Sequence, residues 1–284
     1  MTDLAAVAER AGLTLVGTRP RFSHYLSDAA HRIPFAATLA WYRVQASLQR
    51  NRLGLLWIVL RPMLMSLVYG VVFGFILSSA ARPQNFVPFL LIGVFTIDFF
   101  TNSLSSGSRA ITSNVRLVQS LGFPRVLLPF ASTMEQAIRM VPTTVLLYVL
   151  LLISGEPPRW SWLLYVPILL LLWLFNLGVA MIAARVSVHA RDLQQVIPII
   201  NRIVFYASGV FLSIDGLLQG APWPFRIVQL LPTYDFLEIA RDVLMMGHAA
   251  PTVAWIAAPI WAVIAFAFGL IYFWQAETRY GIDS

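Results

Sequence analysis

The 284 residues include no cysteine and no lysine, and each absence removes whole classes of chemistry. Without thiols there is no disulfide, no thiolate nucleophile and no cysteine metal site. Without an ammonium side chain neither a P-loop GxxxxGK[ST] nor a Schiff-base lysine can be built. Work driven by ATP would therefore need a nucleotide site on another chain. Charge is also scarce, at 12% of residues against about 25% in soluble domains. The four histidines, His24, His31, His189 and His248, are scattered with no HxxxH or HExxH spacing. They read as surface or interfacial side chains, and no metal or organic cofactor is indicated in this chain.

Apolar residues make up 58% of the sequence, which marks an integral membrane protein. Six runs are long enough to cross a hydrocarbon layer of about 30 Å: 53–77, 87–106, 126–153, 162–184, 194–214 and 252–274. The expected fold is all-α, with six transmembrane helices per protomer. Residues 1–34 lack the apolar core of a signal peptide and read as a cytosolic tail. In 35–52, Ala37, Trp41, Val44 and Leu48 recur at helical spacing, with Arg43, Ser47 and Arg50 on another face. That pattern predicts an amphipathic helix lying along the inner leaflet.

Polar side chains stand out against this background. Arg61 precedes Pro62 in the first turns of span 1, where it can snorkel to lipid phosphates. Asp98 and Arg202 lie within spans 2 and 5. Glu135 and Arg139 are four residues apart on span 3 and predict an intramembrane ion pair. Residues 108–130 form a polar, arginine-bearing connection between spans 2 and 3. Its interior reads as a short amphipathic helix stopped by Gly122 and Pro124. Residues 215–250 contain three prolines and no full span, which predicts short re-entrant helices on the outer side, closing the path as a gate. There Asp235, Glu238 and Asp242 share a helical face and read as a solvated outer surface.

Thirteen arginines fall on one side of this topology, four on the other and three within spans. The bias predicts that both termini are cytosolic.

Several segments together resemble the ABC-2 type exporter permeases, in particular the branch exporting polysaccharides, O-antigens and teichoic acids. They are Tyr42-Arg43-Val44-Gln45 through Leu53-Gly54-Leu55-Leu56-Trp57 to Arg61-Pro62; Asn114 and Leu117 with Phe123-Pro124-Arg125 and Pro129; Arg191-Asp192-Leu193 with Pro198; and Pro232 with Arg241-Asp242 and Gly247. The tail before Phe35 carries no such signature, and Val118, Gln119 and Ser120 stand where the family often has lysines.

The resemblance implies a permease in a bacterial cytoplasmic membrane that forms a homodimer and pairs with two copies of a separate ABC ATPase subunit, which would hold ATP and magnesium. It implies that Asn114, Arg116, Leu117, Gln119, Phe123, Pro124 and Arg125 belong to a coupling loop, 108–125, seated on that ATPase. The expected cargo is a lipid-linked polysaccharide, with no role for nucleic acid. Arg50, Arg52 and Arg61 are placed by charge and depth to meet a polyprenyl pyrophosphate headgroup at the lipid surface. Tyr69, Phe73, Phe205, Tyr206 and Phe211 are candidates to line the sugar path, their alternative being ordinary helix packing. A drug or small-lipid exporter would share these spans. A membrane enzyme acting on polyprenyl phosphates would need clustered acids or histidines, and the acids are expected to be dispersed.

Overall fold

The computed structural model describes residues 21–50, 54, 56–76, 85–120, 123–190, 192–211 and 230–277. Ten α-helices and two short 3₁₀ turns make up this part of the chain, and no strand occurs among the described residues. They run α1 (Phe22–His31), α2 (Ile33–Arg50), α3 (Leu56–Ile76) and α4 (Phe86–Ser108). A 3₁₀ turn, Thr112–Asn114, leads to α5 (Val115–Ser120) and α6 (Leu127–Ile153). A second 3₁₀ turn, Trp160–Leu164, opens α7 (Tyr165–His189), followed by α8 (Leu193–Ala207), α9 (Pro232–Leu244) and α10 (Thr252–Gln275).

Five stretches are long and apolar enough to cross a membrane: Leu56–Gly74, Phe86–Ser108, Leu127–Ile153, Trp160–His189 and Thr252–Gln275. They match expected spans 1, 2, 3, 4 and 6. The expected fifth span, 194–214, differs. Its helix α8 has 15 residues, about 22 Å at 1.5 Å per residue, and the chain turns at Gly209 with φ of 71°. A left-handed residue ends a helix readily when it is glycine, so the apolar run overstates the helix. Residues 212–214 lie outside the described part.

Helix α4 is the centre of the bundle, touching α3, α6, α7, α8 and α9. Helices α7 and α10 approach most closely through glycine. A Cβ on Gly178 would stand 2.3 Å from the Ala265 carbonyl, and one on Gly269 would stand 2.3 Å from the carbonyl oxygen of Gly178. Small residues let membrane helices approach backbone to backbone, where lipid offers no hydrophobic drive for association. Helix α3 is the opposite case, leaving Met63, Leu64, Leu67, Val68 and Val71 exposed.

Three expectations are corrected. Within the supposed tail 1–34, α1 is an ordered helix whose Tyr25 is buried. The Tyr25 hydroxyl donates to Oε2 of Glu277 at 2.9 Å, so α1 is pinned beneath the end of α10. On α2 the inward face carries Ala36, Ala40 and Val44 together with Arg43, while Trp41 and Tyr42 point outward. The arginine face is thus partly turned into the protein, where α6 supplies hydroxyl partners. Third, α9 is no wet surface: Asp235 and Glu238 are buried, and α9 packs against α4, α7 and α10.

Candidate functional site

Two adjoining cavities, each about 360 Å³, lie on either side of Arg61 and Pro62. Arg61, Pro62, Asp98 and Asn102 line both. The first cavity lies among α2, α3, α4 and α6 and adds Trp57, Glu135, Gln136 and Arg139 to its wall. The second lies among α3, α4 and α8 and adds Tyr69, Asn201, Arg202, Phe205 and Tyr206. Three helices therefore bring Arg61, Asp98, Glu135 and Arg139 together. The acids Asp98 and Glu135, expected to be dispersed, share one wall, while Asp235 and Glu238 lie elsewhere, on α9.

Local geometry explains how polar groups are held inside apolar helices. Asn102 Nδ2 donates to Asp98 Oδ2 at 2.7 Å, one turn apart on α4. Arg139 Nη2 donates to Glu135 at 2.9 Å and to the Ser47 hydroxyl at 2.7 Å, tying α6 to α2. The expected i,i+4 pair is present. Asn201 on α8 donates to the Ser105 hydroxyl at 2.8 Å and to the Thr101 carbonyl at 3.2 Å. By contrast, Arg61 and Arg202 have no hydrogen-bond or ion-pair partner among the described residues. Both guanidinium groups line the second cavity, free to meet an anion.

All five aromatic candidates fall in one cluster between α3 and the end of α8. Phe73 stacks on Phe211 with centroids 4.1 Å apart, and Tyr69 meets Phe211 edge-on at 4.9 Å. Phe205 lies 5.4 Å from Tyr69 and 5.9 Å from Tyr206. Only Tyr69, Phe205 and Tyr206 line the second cavity. Phe211 is buried, and with Phe73 it backs the cluster.

The connection between α4 and α6 holds the short helix α5, with Gly122 outside the described residues, and its candidate residues divide. Arg116 and Gln119 are exposed, as is Ser113. Val118 is the buried residue of α5, with Leu117 half-buried. The other candidates are spent within the chain. Asn114 accepts from Arg43 at 2.9 Å and donates to the Ala110 carbonyl at 2.7 Å. Phe123 packs against Phe35 at 5.7 Å, and Pro124 is buried. The Arg125 backbone N–H donates to Glu277 Oε1 at 2.9 Å, and its side chain donates to the Glu277 carbonyl. Burial pulls the Arg43 guanidinium below its ordinary value, with the Glu135 carboxylate opposing. Burial likewise pushes the Glu277 carboxyl up, against the hydrogen bonds from Arg125 and Tyr25.

Arg241, fully buried, is the hub that holds α9. Its Nη1 donates to Glu238 at 3.0 Å, and its Nη2 donates to the carbonyls of Gly209 at 2.9 Å and Val210 at 3.2 Å. His248 Nε2 lies 2.9 Å from the other Glu238 oxygen, so this histidine is not a lone surface group. The Arg43, Tyr25 and Glu277 contacts were not among the sequence candidates. Tyr25 and Glu277 are 252 positions apart, beyond the reach of any local pattern. The side chain of Arg50 and all of Arg52 and Arg191 lie outside the described residues, as do residues 215–229 of the expected gate segment 215–250.

Apolar membrane-crossing helices around polar, partly aromatic clefts define a multi-pass membrane protein of the transporter kind. A profile of the ABC-2 type transporter family matches residues 36–245, from α2 to the end of α9, and the chain belongs to that family. It is similar to the O-antigen export system permease protein RfbA of Myxococcus xanthus, 28% identical over 241 residues covering 85% of this chain and 89% of the relative. RfbA of Klebsiella pneumoniae is 24% identical over 198 residues, covering 69% and 74%. The polysialic acid transport protein KpsM of Escherichia coli is 23% identical over 231 residues, covering 80% and 87%.

Proposed function

We propose that the chain is the membrane-spanning permease subunit of an ATP-driven exporter, carrying a polysaccharide on a polyprenyl pyrophosphate carrier across the bacterial cytoplasmic membrane. The observation that carries this reading is the second cavity. Arg61 and Arg202, which have no hydrogen-bond or ion-pair partner among the described residues, share it with Tyr69, Phe205 and Tyr206. Arginine forks suit phosphate oxygens, and exposed ring faces suit sugar rings that must bind weakly and move on. The relatives' names, which concern O-antigen and polysialic acid, point to the same cargo class.

Two copies of the chain and two copies of a separate ATPase subunit complete the exporter. Helix α3 and Tyr206 of α8 leave apolar and aromatic surface uncovered, available to a second protomer. Lacking lysine, this chain has no P-loop, and ATP with its magnesium belongs to the partner. Arg116 and Gln119 face the ATPase, while Asn114, Phe123 and Arg125 hold the loop in position. Both termini are cytosolic.

Deletion of the gene tests the reading. Surface polysaccharide should be lost while its lipid-linked precursor accumulates inside, and the wild-type gene should restore export. Unchanged surface polysaccharide with no internal precursor would contradict it.

A further inference from the structure

The first cavity differs from the second in charge and in lining, and it has no part in the path just described. We infer that it is a glycosyl-binding subsite, taking the sugar residue next to the pyrophosphate of the lipid-linked cargo. The inference rests on the exporter reading and adds a place where the glycan itself is read.

Charge separates the two cavities. In the second, Arg61 and Arg202 face one carboxylate, Asp98, which leaves a surplus of positive charge for a phosphate. In the first, Arg61 and Arg139 face Asp98 and Glu135, and the formal charges balance. A pyrophosphate placed there would meet two carboxylates. A neutral polyol instead needs donors and acceptors close together, which this wall supplies. Asp98 and Glu135 accept, Arg139 donates, and the amides of Asn102 and Gln136 do both.

The groups are also left with capacity. Arg139 Nε is buried without a partner among the described residues, although Nη2 is engaged twice. The Gln136 amide likewise makes no hydrogen bond among them, and Asn102 uses only its Nδ2. Unused polar groups within apolar helices are costly unless water or a ligand meets them. Trp57 contributes a ring to the same wall, a platform on which the apolar face of a pyranose or furanose can stack. The volume, about 360 Å³, sits at the low end of small-molecule sites and suits a sugar rather than a chain. Arg61 borders both cavities, so a sugar in the first can be joined to a phosphate in the second.

The test is photo-crosslinking in cells that use the chain to build their surface polysaccharide. Gln136→benzoylphenylalanine places the probe in the cavity wall, and Val149→benzoylphenylalanine, on an exposed site of the same helix, is the control. Illumination should yield a periodate-stained, carbohydrate-bearing adduct at 136 and none at 149. In parallel, Gln136→Leu should lower surface polysaccharide about fivefold at unchanged membrane level, the loss expected from one neutral hydrogen bond. A sugar-free phospholipid adduct at 136, or wild-type polysaccharide in Gln136→Leu, overturns the subsite. If deleting the gene leaves the surface polysaccharide intact, the exporter reading falls with it. If deletion abolishes export but the adduct carries no sugar, only the subsite falls.

Discussion

Arg43 on α2 donates to Oδ1 of Asn114 at 2.9 Å, bridging the helix before the first span to the turn that opens the connection between α4 and α6. A second contact, to the Ser132 hydroxyl at 3.3 Å, adds the start of α6. One guanidinium therefore joins three segments, and a force applied to the connection reaches α2 without passing through a span.

Arg43→Ala should uncouple these segments. Hydrogen bonds to a charged group are worth about 1.5–3 kcal/mol. The expected outcome is a lower melting temperature in detergent and a several-fold fall in transport, with Arg43→Lys recovering part of both. Wild-type melting and transport in Arg43→Ala would remove the bridge from the account.

Gly178→Ala and Gly269→Ala should each destabilise the protein by about 1–3 kcal/mol or more, as overpacking does. Each added Cβ would stand 2.3 Å from backbone atoms that cannot move aside without separating α7 from α10. The two sites share a contact, so the double variant should cost less than the sum of the singles. Thermal unfolding of all three variants checks both statements.

Arg241→Met would strand Glu238 beneath α9, and losing one partner of a buried pair costs about 3–5 kcal/mol. Adding Glu238→Gln should restore part of that stability. Arg241→Lys should not, because an ammonium cannot reproduce the fork to Glu238 and the carbonyls of Gly209 and Val210. Protease susceptibility of the segment around α9 would rank the four proteins.

Docking of α1 should depend on pH. Burial raises the Glu277 carboxyl above its ordinary value, so the docked form retains a proton that the free form gives up. The resulting stabilisation is complete below the free carboxyl value of about 4.3 and fades as pH rises through the raised value. Glu277→Gln should flatten this dependence, and Glu277→Ala should weaken docking throughout. Accessibility of Tyr25 to iodination, followed against pH, reads it directly.

Much of this architecture was legible in the sequence. Span lengths and the Glu135–Arg139 spacing are local patterns, and the structure reproduces five spans and the ion pair. The direction in which a polar face points was not legible. Asp235, Glu238 and Asp242 have the periodicity of a wet helix, yet α4, α7 and α10 pack against it and bury Asp235 and Glu238. For Arg61, Asp98 and Glu135 the sequence supplies depth along three helices but not rotation, and rotation is what brings them to one cavity. The Tyr25–Glu277 clasp joins the two ends of the chain, which no window of sequence spans.

The central claim is ATP-driven export through this chain with the ATPase seated on the connection around α5. The most direct measurement is transfer of the lipid-linked glycan across the membrane of proteoliposomes containing the chain and its partner ABC ATPase, comparing wild type with Arg116→Glu. The account predicts transfer that needs ATP and both proteins, falls at least tenfold in the variant, and falls together with copurification of the ATPase. Transfer without ATP, or a variant that binds the ATPase and transports as wild type does, would contradict it.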